Sequence, residues 1–310
     1  MSHRENDISS TGPGLVSQGL KACQGCGLEL AGRVLIESLG PDSVMAVAPG
    51  CGANFSGQGP VTPLRIPGLL TTLADPAAFA SGIKAGFEAQ GRANINVVVL
   101  AGDGATADIG LASLSGALER GERIIYVCYD NESYASCGFQ TGSSTPRFAR
   151  TSTTPDGNPV RRKNLMQIVA AHDLPYAASA SVGDIDDFKR KIGRALAASR
   201  HGPAFLHVHT PCPLAWGCDS SKTVEMARKA IRAKCWVLYE VFDGEQVVLS
   251  SLAEPISVAD YLRPQRRFGA ITPDQLAEAQ KMVDRLYAVL ADRAGNSAGP
   301  AADWSAAAAS

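Results

Sequence analysis

Residues 95–131 carry the pattern that most constrains the fold: two apolar runs separated by a tight turn and a helical segment. The first run, 95–101, is followed by Gly-Asp-Gly, and the second, 124–129, is followed by Asp-Asn. This order of strand, turn, helix and strand predicts a βαβ unit. Because such crossovers pair their strands in parallel, we expect Asp103 and Asn131 at the same carboxyl edge of the sheet, where open α/β sheets bind ligands.

The residues at this edge predict a site for a metal-bridged diphosphate. Asp103 offers an anionic oxygen and Asn131, 28 positions later, offers a neutral amide oxygen. Mg²⁺ prefers oxygen ligands and is often held by one or two protein groups together with phosphates. We expect Gly102 and Gly104 to leave room for a phosphate near the backbone, and the N-terminus of the following helix favours an anion.

Length and composition restrict the class of protein. The 310 residues can form one large α/β domain or two smaller ones, and 45% apolar residues suffice for a sizeable core. The formal net charge of −1 gives no reason to expect nucleic acid as a partner. The sequence contains no apolar run of about 18 residues, so no membrane span is expected. The polar first 14 residues do not resemble a signal peptide, and we expect a cytoplasmic protein.

Helical and strand patterns alternate along most of the chain, which predicts an α/β fold with a mostly parallel sheet flanked by helices. Residues 52–74 are expected to form an irregular loop. The basic segment 141–163 is interpreted as a solvated loop or as one that lines a subunit or anionic-substrate interface. Further strands are predicted at 44–48, 176–180, 204–209 and 236–240, and further helices at 165–172, 185–198 and 222–233.

Four regions are predicted from these patterns. Residues 1–20 form a polar N-terminal arm, and residues 21–270 form the principal domain. A C-terminal amphipathic helix is expected over 271–292. The Ala-, Gly- and Ser-rich residues 293–310 are expected to be a disordered tail.

Eight cysteines without a secretion signal indicate thiols, metal binding or catalysis before disulfides. Cys23 and Cys26 form a Cys-x-x-Cys pair, Cys51 follows a short strand, and either Cys212 or Cys218 lies on a loop after a late strand. Four thiolates suit a [4Fe–4S] cluster or a Zn²⁺ ion, and spacing alone does not separate these two from unliganded thiols.

The string GDGATADIGLASLSGALERGERIIYVCYDNESYASCGFQTGSSTP resembles the thiamine-diphosphate subunit of 2-oxoacid:ferredoxin oxidoreductases of the pyruvate type. The resemblance covers roughly residues 20–270, and it implies the thiamine-diphosphate-binding fold. It implies that Asp103 and Asn131 are side-chain ligands of Mg²⁺ and that the carbonyl oxygen of Ser133 is the third protein ligand. Gly102 and Gly104 belong to the same cofactor-binding motif.

The cysteines extend the resemblance to a second, independent motif. CQGCG near the N-terminus, a Gly-Cys pair further on and a late Pro-Cys-Pro-x-x-Trp pattern resemble the cluster ligands of the same subunit. This implies a [4Fe–4S] cluster on Cys23, Cys26, Cys51 and Cys212, with Cys212 preferred over Cys218. The two motifs together imply oxidative decarboxylation of a 2-oxoacid, with single electrons passed through the cluster to ferredoxin.

No glutamate of this sequence can be assigned as the group that activates thiamine diphosphate, because Glu29, Glu37 and Glu88 all lie in ordinary helical patterns. In the resembled family a partner subunit supplies this glutamate. The chain is therefore expected to be half of an active site, without an assigned catalytic residue of its own. The implied partners are the alpha-, gamma- and delta-type subunits of the same complex.

The segment Tyr134-Ala135-Ser136-Cys137-Gly138 departs from the resembled family, because Ser136-Cys137 replaces the usual Asn-Thr before the glycine. In the family that Asn is associated with coenzyme A. Pyruvate, converted with coenzyme A to acetyl-CoA and CO₂, remains the first expectation. A relative that does not use coenzyme A, such as oxalate oxidoreductase, or an enzyme for another 2-oxoacid stays open. So does a non-redox thiamine-dependent decarboxylase or synthase with zinc. The intact Asp103 and Asn131 pair argues against an electron-transfer or scaffold subunit with a degenerate thiamine site.

Overall fold

The protein is organised around a mixed sheet of eight strands within the residues that the computed structural model describes, which are 14–56, 62–250 and 254–296. The strand order across the sheet is β2-β1-β3-β4-β6-β5-β7-β8. The strands are β1 Ser43–Val47, β2 Gly68–Leu70, β3 Asn96–Gly102, β4 Ile125–Asp130, β5 Tyr176–Ser181, β6 Ala204–His209, β7 Tyr239–Phe242 and β8 Gln246–Leu249.

The predicted α/β class and the βαβ unit are confirmed. The six strands from β2 to β5 in the spatial order pair in parallel, and only β7 and β8 at one edge are antiparallel. β3 and β4 are direct neighbours, with Gly102 opposite Tyr129. Asp103 and Asn131 thus follow the ends of two adjacent parallel strands.

Helices cover both faces of the sheet. α1 and α6 pack with one hydrophobic cluster, and α3, α4, α5 and α10 contribute to the cluster on the other face. The helices are α1 Gly27–Leu39, α2 Ala53–Ser56, α3 Pro76–Ala89, α4 Leu111–Glu119, α5 Leu165–Ala170, α6 Ile185–Ala198, α7 Pro213–Trp216, α8 Thr223–Arg232, α9 Val258–Leu262 and α10 Pro273–Asn296.

The continuous apolar runs of the central strands follow from burial on two sides. In β4, Ile125, Val127 and Tyr129 belong to one cluster, whereas Tyr126 and Cys128 belong to the other. Successive side chains of a strand point to opposite faces, so a strand covered by helices on both faces has no polar side.

A third hydrophobic cluster lies around Trp216, Trp236 and Phe268 and includes residues of α8 and α9. Cys212 and Cys218 pack against its margin. The segment that carries these two cysteines is therefore supported by a core of its own.

Several elements differ from the sequence-based expectations. The expected loop 52–74 contains α2 and β2, and the Gly-Asp-Gly turn leads first into a π-helix, Gly104–Ile109, before α4 begins. The strand expected at 236–240 begins at Tyr239, because the Trp236 side chain enters the third cluster and its indole donates to the Ala180 carbonyl at 2.9 Å. β8 was not predicted.

The C-terminal helix is longer than expected. α10 continues to Asn296, so residues 293–296 are helical, whereas the sequence predicted that the disordered tail begins at 293. Leu286, Leu290 and Ala294 pack on the sheet and explain the extension. The expectations for residues 1–13 and 297–310 lie outside the described residues. No helix in the described part of the chain is both long and apolar enough to span a membrane.

Candidate active site

A cleft opens at the carboxyl edge of the sheet, where β3 and β4 end side by side. Most of its lining comes from three segments: the loop that follows β1, the Gly-Asp-Gly turn after β3, and the segment that follows β4. The lining residues that carry the sequence predictions are Cys51, Gly102, Asp103, Gly104, Asn131 and Ser133. The structure therefore brings the predicted diphosphate residues and one predicted cluster ligand into one cleft.

The two predicted metal-ligating side chains present oxygens that lack a partner. Asp103 Oδ2 and Asn131 Oδ1 are buried and have no hydrogen bond within the described residues. Burial, and secondarily the charge of nearby Asp130, raise the pKa of Asp103 well above its ordinary value. A buried carboxylate and a buried amide oxygen without donors suit a divalent cation, which would satisfy both and stabilise the ionised carboxylate.

Ser133, whose carbonyl was the third expected ligand, also lies in this cleft. Its carbonyl oxygen accepts a hydrogen bond from the Ala135 amide at 2.8 Å, and its buried hydroxyl has no partner among the described residues. A carbonyl oxygen has two lone pairs, so this hydrogen bond leaves one for a cation.

The second aspartate of the cleft region is held in a different way. Asp130 Oδ2 is hydrogen-bonded to His207 Nε2 at 2.8 Å, and Asp130 Oδ1 accepts from the Glu132 amide at 2.8 Å. Burial acts to raise the pKa of Asp130, but the hydrogen bond from His207 and the charges of His207 and Arg162 outweigh it, and the pKa is lowered. Asp130 is therefore a fixed structural anion, and Asp103 is the carboxylate with a free oxygen.

Two tyrosine rings explain the glycines of the Gly-Asp-Gly turn. A Cβ atom at Gly104 would lie 2.4 Å from the ring of Tyr134, and one at Gly102 would lie 3.2 Å from the ring of Tyr129. From the sequence, these glycines are expected to leave room for a phosphate. In the structure, close contact with aromatic rings is sufficient to require Gly104.

Four of the cysteines converge next to this cleft. Burial raises the pKa of Cys26, Cys51 and Cys212, and the negative charges of neighbouring cysteines, Cys23 among them, raise it further. For Cys51 the pKa reaches about 12. The charged groups that affect Cys218 are Arg267 and Asp219, and no other cysteine is among them. The structure thus groups Cys23, Cys26 and Cys51 with Cys212.

The glycines of CQGCG allow the first cysteine loop to touch the loop that carries Cys212. The Gly27 amide donates to the Pro211 carbonyl at 3.2 Å, and a Cβ at Gly27 would lie 2.7 Å from that oxygen. Gly25 has a φ of 68°, and a Cβ there would lie 1.9 Å from the Ser220 carbonyl oxygen. Side chains at either position would force the two loops apart.

The cysteine group adjoins the residues of the diphosphate cleft. Asn131 Nδ2 lies 4.0 Å from Cys51 Sγ in hydrogen-bonding geometry, while its Oδ1 is one of the unpartnered oxygens. The Tyr129 hydroxyl accepts from the Gly52 amide at 2.8 Å. Across the described residues, no three His, Cys, Asp or Glu side chains have the spacing of a site for a single metal ion.

The basic segment 141–163 is bound within the chain. Arg162 pairs with Glu132 at 3.2 Å, Lys163 pairs with Asp108 at 3.4 Å, and Arg147 pairs with Glu278. Three of the basic side chains of this segment therefore have acidic partners within the chain.

Sequence reasoning missed three residues near the site. Glu132, Arg267 and Trp216 form a buried network next to Asn131, described below. The sequence contained a signal for two of them. Glu132 lies between two expected ligands, and Trp216 is the Trp of the Pro-Cys-Pro-x-x-Trp pattern. Nothing in the local sequence distinguishes Arg267 from other arginines.

Comparison with known proteins agrees with this geometry. Residues 50–208, just over half of the chain, match the family described as "Thiamine pyrophosphate enzyme, C-terminal TPP binding domain". The fold is similar to that of 2-oxoglutarate:ferredoxin oxidoreductase from Magnetococcus marinus, with a TM-score of 0.55 and 18% identity over 90% of this chain and 93% of that one. The fold and the cleft therefore define a thiamine-diphosphate enzyme.

Two relatives identify the family more closely within the thiamine-diphosphate enzymes. Pyruvate synthase subunit PorB of Methanothermobacter marburgensis is 42% identical over 87% of this chain and 94% of its own length. Ketoisovalerate oxidoreductase subunit VorB of Pyrococcus abyssi is 37% identical over 86% of this chain and 88% of its own length. The chain belongs to the family of thiamine-diphosphate-binding subunits of 2-oxoacid oxidoreductases, which confirms the resemblance found in the sequence.

The exposure of the thiols predicts their order of alkylation in the metal-free protein. Cys23 and Cys137 are exposed, whereas Cys128 is buried and has a pKa raised well above its ordinary value, mainly by burial. The thiolate is the nucleophile, and each unit by which the pKa of a thiol is raised lowers the fraction of thiolate about tenfold. Cys23 and Cys137 should therefore react more than about tenfold faster than Cys128. Timed iodoacetamide labelling with peptide mass spectrometry measures this, and early labelling of Cys128 would contradict the packing of β4.

Proposed function

We propose that this chain binds the diphosphate of thiamine diphosphate through Mg²⁺. The single observation that carries the proposal is the pair of buried, unpartnered oxygens, Asp103 Oδ2 and Asn131 Oδ1, in one cleft at the carboxyl edge of the sheet. The Ser133 carbonyl is the third protein ligand, and Gly102 and Gly104 complete the turn. Oxygen ligands from a few protein groups plus phosphate oxygens are the coordination that Mg²⁺ favours.

We further propose that Cys23, Cys26, Cys51 and Cys212 hold a [4Fe–4S] cluster. Support comes from the mutual effect of their charges on the pKa of Cys26, Cys51 and Cys212. Grouped thiols resist ionisation because their negative charges repel, and bound iron offsets that repulsion. Cys51 lines the same cleft as Asp103 and Asn131, and this proximity supports electron transfer between the bound cofactor and the cluster.

The proposed reaction is the oxidative decarboxylation of a 2-oxoacid with ferredoxin as electron acceptor. Thiamine diphosphate, when bound, supplies the stabilised carbanion chemistry that this decarboxylation requires. The chain itself anchors the diphosphate, orients the cofactor and provides the thiolates of the electron path. Pyruvate with coenzyme A is the first substrate pair, because the relative of highest identity given above is named as a subunit of pyruvate synthase.

The active site is proposed to be completed by other subunits of the complex. No glutamate is among the described residues that line the cleft, and the nearby Glu132 is paired with Arg162 and Arg267. Because both relatives are named as subunits, the activating glutamate is assigned to a partner subunit.

A different 2-oxoacid is the second candidate. Ser136 and Cys137 line the cleft where the pyruvate-type pattern has Asn-Thr, and the second relative is named for ketoisovalerate. A reaction that does not use coenzyme A, as in oxalate oxidoreductase, agrees with the same substitution. The identity of the acid product separates these candidates.

Replacing Asp103 by Ala should weaken binding of Mg²⁺–thiamine diphosphate by more than about 100-fold. Substitution of residues that only support metal ligands typically weakens binding by about 10- to 100-fold. The loss follows from removal of the anionic ligand, and iron content and thermal unfolding should not change. Isothermal titration calorimetry measures the affinity. Asp186→Ala, at an exposed position in α6, is the control and should bind normally. Unchanged affinity in Asp103→Ala would exclude the proposed metal site.

The fourth cluster ligand can be tested by two substitutions in one loop. Cys212→Ala should lose or convert the cluster, whereas Cys218→Ala should keep it, because only Cys212 shares the electrostatic environment of the other three. Iron analysis and low-temperature EPR of the reduced, anaerobically purified protein measure this. The opposite result would move the ligand to Cys218, and zinc without iron would favour the non-redox alternative.

Turnover should require the other subunits. The chain purified alone and anaerobically should reduce no viologen dye with any 2-oxoacid, and addition of the partner subunits should restore reduction with pyruvate. Preference for 2-oxoisovalerate or oxalate would select another member of the family. Turnover by the chain alone would show that it contains the activating glutamate.

A further inference from the structure

Glu132 lies in the chain between two proposed ligands of Mg²⁺, but its own side chain does not line the cleft. Its side chain is buried, and the residue is only 3% exposed. Its φ of 64° lies in the left-handed region, which non-glycine residues seldom adopt. Surrounding structure must hold such a conformation, and it clusters at functional sites.

The backbone of Glu132 is held by two hydrogen bonds. Its amide donates to Asp130 Oδ1 at 2.8 Å, and its carbonyl accepts from the Thr145 hydroxyl at 2.9 Å. Residues 130–133, here called the Asn131 turn, therefore form a defined corner at the end of β4. The direction of the Asn131 and Ser133 groups depends on this corner.

The carboxylate of Glu132 reaches two arginines from distant parts of the chain. Arg162 pairs with Oε1 at 3.2 Å, and Arg267 pairs with Oε2 at 2.5 Å. Arg267 is itself buried, and its Nε donates to Gln265 at 2.8 Å. Hydrogen bonds between charged groups are stronger and more directional than neutral ones, so this arrangement fixes the carboxylate.

The network continues from Arg267 to the loop that carries the proposed cluster ligand. The guanidinium carbon of Arg267 lies 4.0 Å from the ring centre of Trp216. The indole of Trp216 donates to the Asn131 carbonyl at 2.9 Å, and the Trp216 amide donates to the Cys212 carbonyl at 3.0 Å. A closed circuit of contacts thus runs through Glu132, Arg267, Trp216 and Asn131, with Cys212 attached to it.

We propose that Glu132 is a positioning residue that, through Arg267 and Trp216, fixes the Asn131 turn relative to the Cys212 loop. The inference rests on the proposed function for the identity of the two bound groups. Rotation of the Asn131 carbonyl would move the side chain whose Oδ1 faces the metal site and whose Nδ2 approaches Cys51. A change in this circuit therefore alters both the affinity for Mg²⁺ and the environment of the cluster.

We attribute this circuit to its effect on the position of the proposed ligands and not to a contribution to the free energy of unfolding. Buried ion pairs often contribute little net stability, because desolvation of the charges offsets their attraction. Partners outside the ligand sphere, in contrast, orient the ligands, and hydrogen bonds near cluster sulfurs tune the reduction potential.

The chain contains a matched control for Glu132. Glu240, in β7, is 2% exposed and also pairs with two arginines, Arg190 and Arg194, but it lies at the far side of the sheet. Glu132→Gln and Glu240→Gln each remove one buried charge from an arginine pair. Any general effect of such a substitution on stability should appear in both variants.

The test uses the anaerobically purified complex and three measurements: the Mg²⁺ dissociation constant at saturating thiamine diphosphate, the midpoint potential of the cluster and the thermal midpoint. Glu132→Gln should weaken Mg²⁺ binding about 10- to 100-fold and shift the potential. Glu240→Gln should lower only the thermal midpoint. Equal Mg²⁺ affinity and equal potential in the two variants would overturn the proposal.

A second pair of variants covers the case in which Glu132→Gln does not fold. Trp216→Phe keeps an aromatic ring beside Arg267 and removes the donor to Asn131 together with part of the buried ring, so Mg²⁺ binding should weaken about 3- to 10-fold. Tyr176→Phe is its control, since it also removes one buried hydrogen-bond donor, whose acceptor is Glu240 outside the circuit. Equal Mg²⁺ affinities in these two variants would also overturn the proposal.

Measurements on the wild-type complex distinguish a failure of the proposed role of Glu132 from a failure of the proposed function. If it binds Mg²⁺–thiamine diphosphate and contains iron, and the variants behave as their controls do, only the role of Glu132 is wrong. If the wild type binds neither group, the proposed function and this inference are both wrong.

Discussion

The parallel pairing of β3 with β4 is the constraint on which the rest of the site depends. Gly102 lies opposite Tyr129, so both strands end at the same level of the carboxyl edge. Asp103 and Asn131, which follow these ends, therefore line the same cleft. Alternate side chains of these strands pack into two different hydrophobic clusters, and a slip of one residue would move every side chain into the other cluster. The hydrophobic core therefore fixes the position of the two polar groups.

Two neighbouring aspartates at this edge have opposite environments. Asp103 is buried with an unpartnered oxygen, and its pKa is raised, whereas Asp130 is satisfied by His207 and the Glu132 amide, and its pKa is lowered. A cation near Asp103 would lower its pKa again by favouring the ionised form. The chain thus separates a carboxylate available for a metal from one that supports the turn.

The cleft and the cysteine group share structural elements. Gly25 and Gly27 bring the first cysteine loop into backbone contact with the Cys212 loop, and Asn131 lines the cleft with its Nδ2 4.0 Å from Cys51 Sγ. The third hydrophobic cluster supports the same loop through Trp216. Because the two sites share these loops, a change in the backbone at one site is transmitted to the other through packed side chains and hydrogen bonds.

The sequence by itself determined the α/β class, the βαβ unit, the family and the residues proposed for the two sites, because these depend on local periodicity and on motifs with fixed spacing. It missed the antiparallel edge, the π-helix after Gly-Asp-Gly and the end of α10 at Asn296, since packing against distant residues decides them. Only the tertiary structure joined Glu132 to Arg267, 135 positions away. Contacts over such separations leave no periodic signal in the chain, because they arise when the sheet and its loops are assembled.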